Sequence, residues 1–142
     1  MYKLNPKVEF LDKTKKKKII EILEKDYGIS ELPYLLIKTG KEKIRAYSGS
    51  LSWPELNEFA KSVHVELIGS QLCTIENENS RINFDAINIP AIKHQISKNI
   101  VEINETQLND WIRGKNLEIS TELKSQFVLI KHQGDFFGVA SN

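Results

Sequence analysis

Between residues 13 and 27, Ile19, Ile20, Leu23 and Tyr27 recur at near-helical spacing. Asp12 stands where an N-cap is wanted and Gly28 where a helix stops, so the pattern predicts a helix over 13–27 with Lys15, Lys16, Lys17 and Lys18 on its first exposed turns. The strand-like runs 33–38 and 43–48 then flank Thr39-Gly-Lys-Glu42, which reads as a hairpin. Ser52-Trp-Pro-Glu55 has the form of a capping box, with Pro54 in the first turn, and it opens a helix that turns Leu56, Phe59, Ala60 and Val63 to one side. From His64 to Glu76 apolar and polar residues alternate loosely, and Gly69-Ser70 marks a bulge or bend within a strand.

Asn77-Glu-Asn-Ser80 is turn chemistry, after which residues 81–89 alternate with period two until Pro90, so a strand is expected with Ile82, Phe84, Ala86 and Ile89 facing a core. A short helix from Ala91 to about Ser97 leads into a strand over 99–103, and this handover is the expected domain boundary. Asn104 or Thr106 is placed to cap a helix containing Leu108, Trp111 and Ile112, with Gly114 as its left-handed stop and Trp111 expected in the core. The run from Phe127 to Ser141 reads as two strands around His132-Gln-Gly-Asp135, a terminal β-hairpin.

Composition narrows the class. At 142 residues, 40% hydrophobic and 27% charged, the chain can build an ordinary core as one domain or two small ones packed together. The single Cys73 forbids an intrachain disulfide, and His64, His94 and His132 lie too far apart in sequence to form a zinc motif. With no leader-like N-terminus and no spanning apolar run, a cytoplasmic, reducing location away from membranes is expected. The net charge of +1 hides an asymmetry: residues 1–45 carry 12 Lys or Arg against 7 Asp or Glu, and residues 46–142 carry 8 against 12. The basic third is a candidate polyanion surface.

Catalytic and cofactor chemistry finds no support in the motifs. The seven glycines are dispersed and form no phosphate-cradling pattern, so no nucleotide cofactor is expected. Cys73 lies mid-strand, where a small buried thiol is the expectation, and Asp85 and Asp135 sit where strand-end and turn aspartates belong. Nucleic-acid chemistry is better represented: Arg113 and Lys115 flank Gly114, where a backbone without a Cβ admits close approach of a sugar-phosphate chain. Lys131 and His132 stand at the hairpin turn, and Phe136 or Trp53 would offer stacking faces if they are not core.

A helix, a glycine turn carrying Arg113 and Lys115, and a strand hairpin ending Gly138-Val-Ala140 resemble the PUA superfamily of small RNA-binding pseudobarrels. Ile44-Arg-Ala-Tyr-Ser48, the helix after it, His64 to Ser70, Arg81-Ile-Asn-Phe-Asp85 and Phe136-Phe-Gly-Val-Ala140 follow in the order of ribosome-biogenesis factors in which a pre-PUA α/β domain precedes a PUA domain. A similar module ends the Sun-type rRNA cytosine methyltransferases, where a Trp-x-x-Gly helix also precedes the last hairpin. The likeness covers roughly residues 30–142 and implies an α+β protein. A pre-PUA-like α/β domain over 1–97 would pack on a PUA-like β pseudobarrel over 98–142, the latter cut short at Asn142. It further implies a non-catalytic factor that binds structured RNA in rRNA or tRNA maturation, with Arg113, Gly114, Lys115, Lys131, His132 and Lys15 to Lys18 on the RNA. The methyl-donor domain of those enzymes has no counterpart here, so no enzymatic activity is implied. The alternative is an adaptor that docks an RNA methyltransferase or RNA-processing complex through an apolar patch.

Overall fold

The computed structural model describes residues 8–40, 42–48, 54–55 and 70–141. Apart from Pro54 and Glu55, the expected capping box, its helix with Leu56, Phe59, Ala60 and Val63, and the strand from His64 to Gly69 lie outside the described residues.

The described chain is α+β, with two open sheets and a few helices. Strands β1 (Val8–Phe10), β2 (Leu35–Thr39), β3 (Lys43–Tyr47), β4 (Ser70–Glu76) and β5 (Asn79–Ile82) form an antiparallel sheet in that order. Strands β6 (Ile100–Glu102), β7 (Phe127–His132) and β8 (Asp135–Ser141) form the second sheet, β6 parallel and β8 antiparallel to β7. No closed barrel is found among the described strands. Nor is any described helix long and apolar enough to cross a membrane.

Helix α1 (Lys13–Tyr27) spans the expected residues because both its ends are satisfied. The Asp12 carboxylate accepts from the Lys15 amide, and Gly28 takes the left-handed conformation at φ +86°. Its apolar face sinks Leu23 and Tyr27 to zero exposure in a core shared with Leu36, Ile44, Leu72, Cys73 and Ile82 of the first sheet. The last carbonyls of α1, which have no partner within the helix, are met by the segment that leads to the second sheet. Lys98 Nζ donates to Glu24, the Ser97 amide to Tyr27 and Asn99 Nδ2 to Asp26. Leu129 and Phe136 of the second sheet enter the same core, so one apolar interior runs beneath both sheets.

Beyond β5 the structure departs from the expected strand over 81–89. Pairing ends at Ile82, and α2 (Phe84–Ile87) begins at once because Asn83 caps it, accepting from the Asp85 amide at 2.9 Å. Helical rotation buries the adjacent Ala86 and Ile87, as a strand would not, and swings Phe84 out to 50% exposure. Helix α3 (Pro90–Lys93) follows, shorter than the sequence expects, with proline in its first turn. Helix α4 (Glu105–Ile112) starts at Asn104 in a full capping box with Gln107.

The far face of the second sheet carries its own small core of Val101, Ile103, Val128 and Ile130. Leu108 and Trp111 of α4 cover it, joined by Leu117, Ile119 and Leu123 from a stretch without regular structure. Trp111 is only half-buried, yet its indole N–H donates to the Phe137 carbonyl at 2.8 Å. The register of β7 and β8 shifts after Ile130, leaving Phe137 as the extra residue of a bulge. Gly138 follows with φ +155°, and a Cβ there would lie 2.8 Å from Trp111 Cζ2.

Candidate nucleic-acid interface

The four lysines of the first helix differ in what holds them. Lys15 Nζ donates to Glu9 Oε1, and that hydrogen bond, followed by the charge of Glu9, raises the ammonium pKa. Lys16 Nζ donates to the Tyr34 carbonyl at 2.6 Å, and partial burial lowers its pKa. Lys17 and Lys18 are exposed. Two of the four therefore have partners inside the molecule.

At the terminal hairpin, Gln133 and Gly134 take φ +47° and +87°, the left-handed pair that a two-residue turn between twisted strands requires. Lys131 lies with its ammonium 5.6 Å from the Phe136 ring centroid. Phe136 itself is only 3% exposed, so it belongs to the core and offers no stacking face, while Trp53 lies outside the described residues. His132 Nδ1 donates to the Ile103 carbonyl at 2.7 Å, which fixes the orientation of the ring.

Arg113, Gly114 and Lys115 close α4 as an exposed turn. Gly114 has φ +79°, and the place of its missing Cβ has no atom within 4 Å, so the backbone there is open to approach. Lys115 Nζ lies 3.7 Å from Asp110 and keeps 61% side-chain exposure, where such a pair contributes little.

Lys16 and Lys131 line neighbouring clefts that share His94, the second cleft also holding Lys93 in its 2.8 Å ion pair with Asp135. That bond and the lysine charge hold the Asp135 carboxyl below the usual range. Arg113 and Lys115 line neither cleft. Trp111, two residues before Arg113, instead borders a third cleft of about 510 Å³ between β4–β5, α2 and β8. Gln71, Arg81, Phe84 and Phe137 stand around it, and none of them is in the candidate set drawn from the sequence. The signal is Asn83-Phe-Asp, a cap followed by an acidic first turn, which the period-two pattern of 81–89 obscures.

Cys73 is fully buried, and desolvation pushes its thiol up to about 12, the state of a packed hydrophobe. Among the described residues no three His, Cys, Asp or Glu side chains gather as a metal site. Comparison with protein-family models gives no match, and comparison with curated proteins gives none at a significant level.

Proposed function

We propose that this protein is a non-catalytic RNA-binding factor that assists rRNA or tRNA maturation. In this reading a pre-PUA-like domain over residues 1–97 packs on a PUA-like pseudobarrel over 98–142. The observation that carries it is the turn at the end of α4. Arg113 and Lys115 are exposed on either side of a glycine whose backbone nothing covers, and the turn stands on a helix keyed into β8 through Trp111. Cations on a rigid base, beside an open main chain, suit phosphate positioning better than they suit acid–base or covalent chemistry. Lys17 and Lys18 would add sequence-independent attraction, and Lys131 and His132 a second contact at the hairpin turn.

The adaptor reading, in which the chain docks an RNA methyltransferase or RNA-processing complex, draws on Phe84 and Ile112, exposed at 50% and 66%. Two such residues among those described are ordinary for a monomer surface, so the exposed α4 turn is given the greater weight.

Binding of a structured rRNA or tRNA fragment at several salt concentrations tests the proposal. Each phosphate neutralised on a single strand contributes about −0.7 to the slope of log K against log salt. Replacing Arg113 and Lys115 together should flatten that slope by roughly one to one and a half. An unaltered slope would remove the α4 turn from the RNA surface and move the balance to the adaptor.

A further inference from the structure

We infer that the cleft between β4–β5, α2 and β8 is a pocket for one unpaired nucleobase of an RNA strand whose backbone runs past Arg113 and Lys115. The inference rests on the RNA-binding reading and assigns that reading a site. The cleft measures about 510 Å³, inside the range of about 300–1,000 Å³ typical of small-ligand sites. Three aromatic side chains border it: Phe84, exposed at the tip of α2, and Trp111 and Phe137, half-buried.

Polar groups complete the walls. Gln71 and Arg81 line the cleft, and among the described residues neither side chain has a hydrogen-bond partner, although the Arg81 guanidinium lies 5.4 Å from the Phe127 ring centroid. An amide and a guanidinium can read the edge of a base, and every base has a flat face for an aromatic ring. Asp85 lines the same cleft. A carboxylate there repels a phosphate but accepts from an exocyclic amino group, so the cleft suits the base and the α4 turn the backbone.

The indole of Trp111 is held rigidly, by its hydrogen bond to the Phe137 carbonyl and by the missing Cβ of Gly138 beneath it. One wall is thus set in place before any ligand arrives, which keeps the entropy of ordering small. Phe84 needs no partner to keep its place in the fold, because α2 is anchored by the buried Ala86 and Ile87.

The experiment titrates the full chain into single-stranded decaribonucleotides of A or U, each carrying one 2-aminopurine, at low salt. Binding should quench the reporter base by stacking, and Phe84→Ala should weaken affinity roughly tenfold and restore the fluorescence, with its unfolding midpoint unchanged. Phe84→Tyr should keep the quench, and Gln71→Ala should narrow the difference between the A and U strands. If Phe84→Ala binds and quenches like the parent, the pocket is overturned. If it does so while the Arg113 and Lys115 double variant loses its salt slope, the RNA reading survives without this site. If the parent binds structured RNA but neither single strand, the pocket falls alone; if it binds no RNA at all, both fall. Loss of a protein partner with Phe84→Ala, at unchanged RNA affinity, would turn the cleft into a docking surface and also overturn the inference.

Discussion

Helix α1 sinks Leu23 and Tyr27 completely and has its last carbonyls met by Ser97, Lys98 and Asn99, whereas α4 has no fully buried residue and leaves Ile112 66% exposed. Both are capped at the start by a side chain accepting from the third helical amide, and both end on a glycine with positive φ. The difference lies beyond the caps. Asp26 Oδ2 accepts from both the amide and the hydroxyl of Ser80 at 2.7 Å, and Tyr27 Oη donates to the Ser80 carbonyl at 2.6 Å. The end of α1 is therefore locked to β5 by a buried polar set, while α4 is held by Leu108 and Trp111 on its inner face, the indole seated over Gly138. A helix locked at its end has that end buried in the fold, and a helix packed only along its inner face leaves its far end exposed.

The largest expected effect breaks the lighter fastening. Gly138→Ala puts a methyl group 2.8 Å from Trp111 Cζ2 and 2.9 Å from Nε1, at a φ of +155° that side chains rarely adopt. Overpacking and backbone strain together should cost roughly 2–5 kcal/mol, read as a fall in the denaturant midpoint. Gly134→Ala is the control, with φ +87° but nothing within 4 Å, so it should cost only about 1 kcal/mol of strain. Equal costs for the two would mean that the Trp111 contact is not what requires glycine at 138.

The α1 lock should show itself through pH. Burial raises the Tyr27 hydroxyl from 10.0 to about 12 and the Cys73 thiol from 9.0 to about 12. Both folded values lie above the unfolded ones, so each group's contribution is complete below its unfolded value and is lost as pH rises towards 12. Stability should start to fall near pH 9 with a slope of about 1.4 kcal/mol per pH unit for one group, and steepen above pH 10. Cys73→Ala should move the onset to about pH 10, and Tyr27→Phe should remove the second phase while costing about 1–2 kcal/mol at neutral pH from the lost bond to Ser80. A native thiol that labels rapidly at pH 8 would contradict the burial on which this rests.

How much of this was legible follows the same division. The ends of α1, the Asn104 cap, the hairpins β2–β3 and β7–β8 and the Asn77-Glu78 turn are local events, each dictated by a few adjacent residues, and they stand where the sequence places them. Strand β1 escapes the pattern because three residues carry no period, and its pairing with β2 lies across the whole of α1. Arg81 to Ile89 misleads because Ile82, Phe84 and Ala86 alternate as a strand would. The Asn83 cap and the core's demand for Ala86 and Ile87 together outweigh that alternation. The stretch holding Leu117, Ile119 and Leu123 packs without regular structure, for which periodicity has no signal. The cleft was hidden for a similar reason, since its walls join residues 71–85 to Trp111 of α4 and to β8, and Phe84 reads as core.

The smallest effect separates fold from function at the start of α1. Its first turn has no acidic residue, and cations there oppose the positive end of the helix dipole. Lys13→Glu should therefore raise stability by a few tenths of a kcal/mol. Lys17→Glu lies a turn further on, where the dipole has faded, and it sets a second carboxylate four residues before Glu21, so it should lower stability by a similar amount. Both changes remove two units of charge from the same exposed region, and both should weaken RNA binding and lower its salt slope, without altering which sequence is preferred. Were binding only following stability, the two variants would move in opposite directions. Thermal midpoints and salt titrations of the pair decide it: opposite shifts in stability with a shared loss of affinity mark the lysines as phosphate contacts, and unchanged affinity in both returns them to the solvated surface of a structural helix.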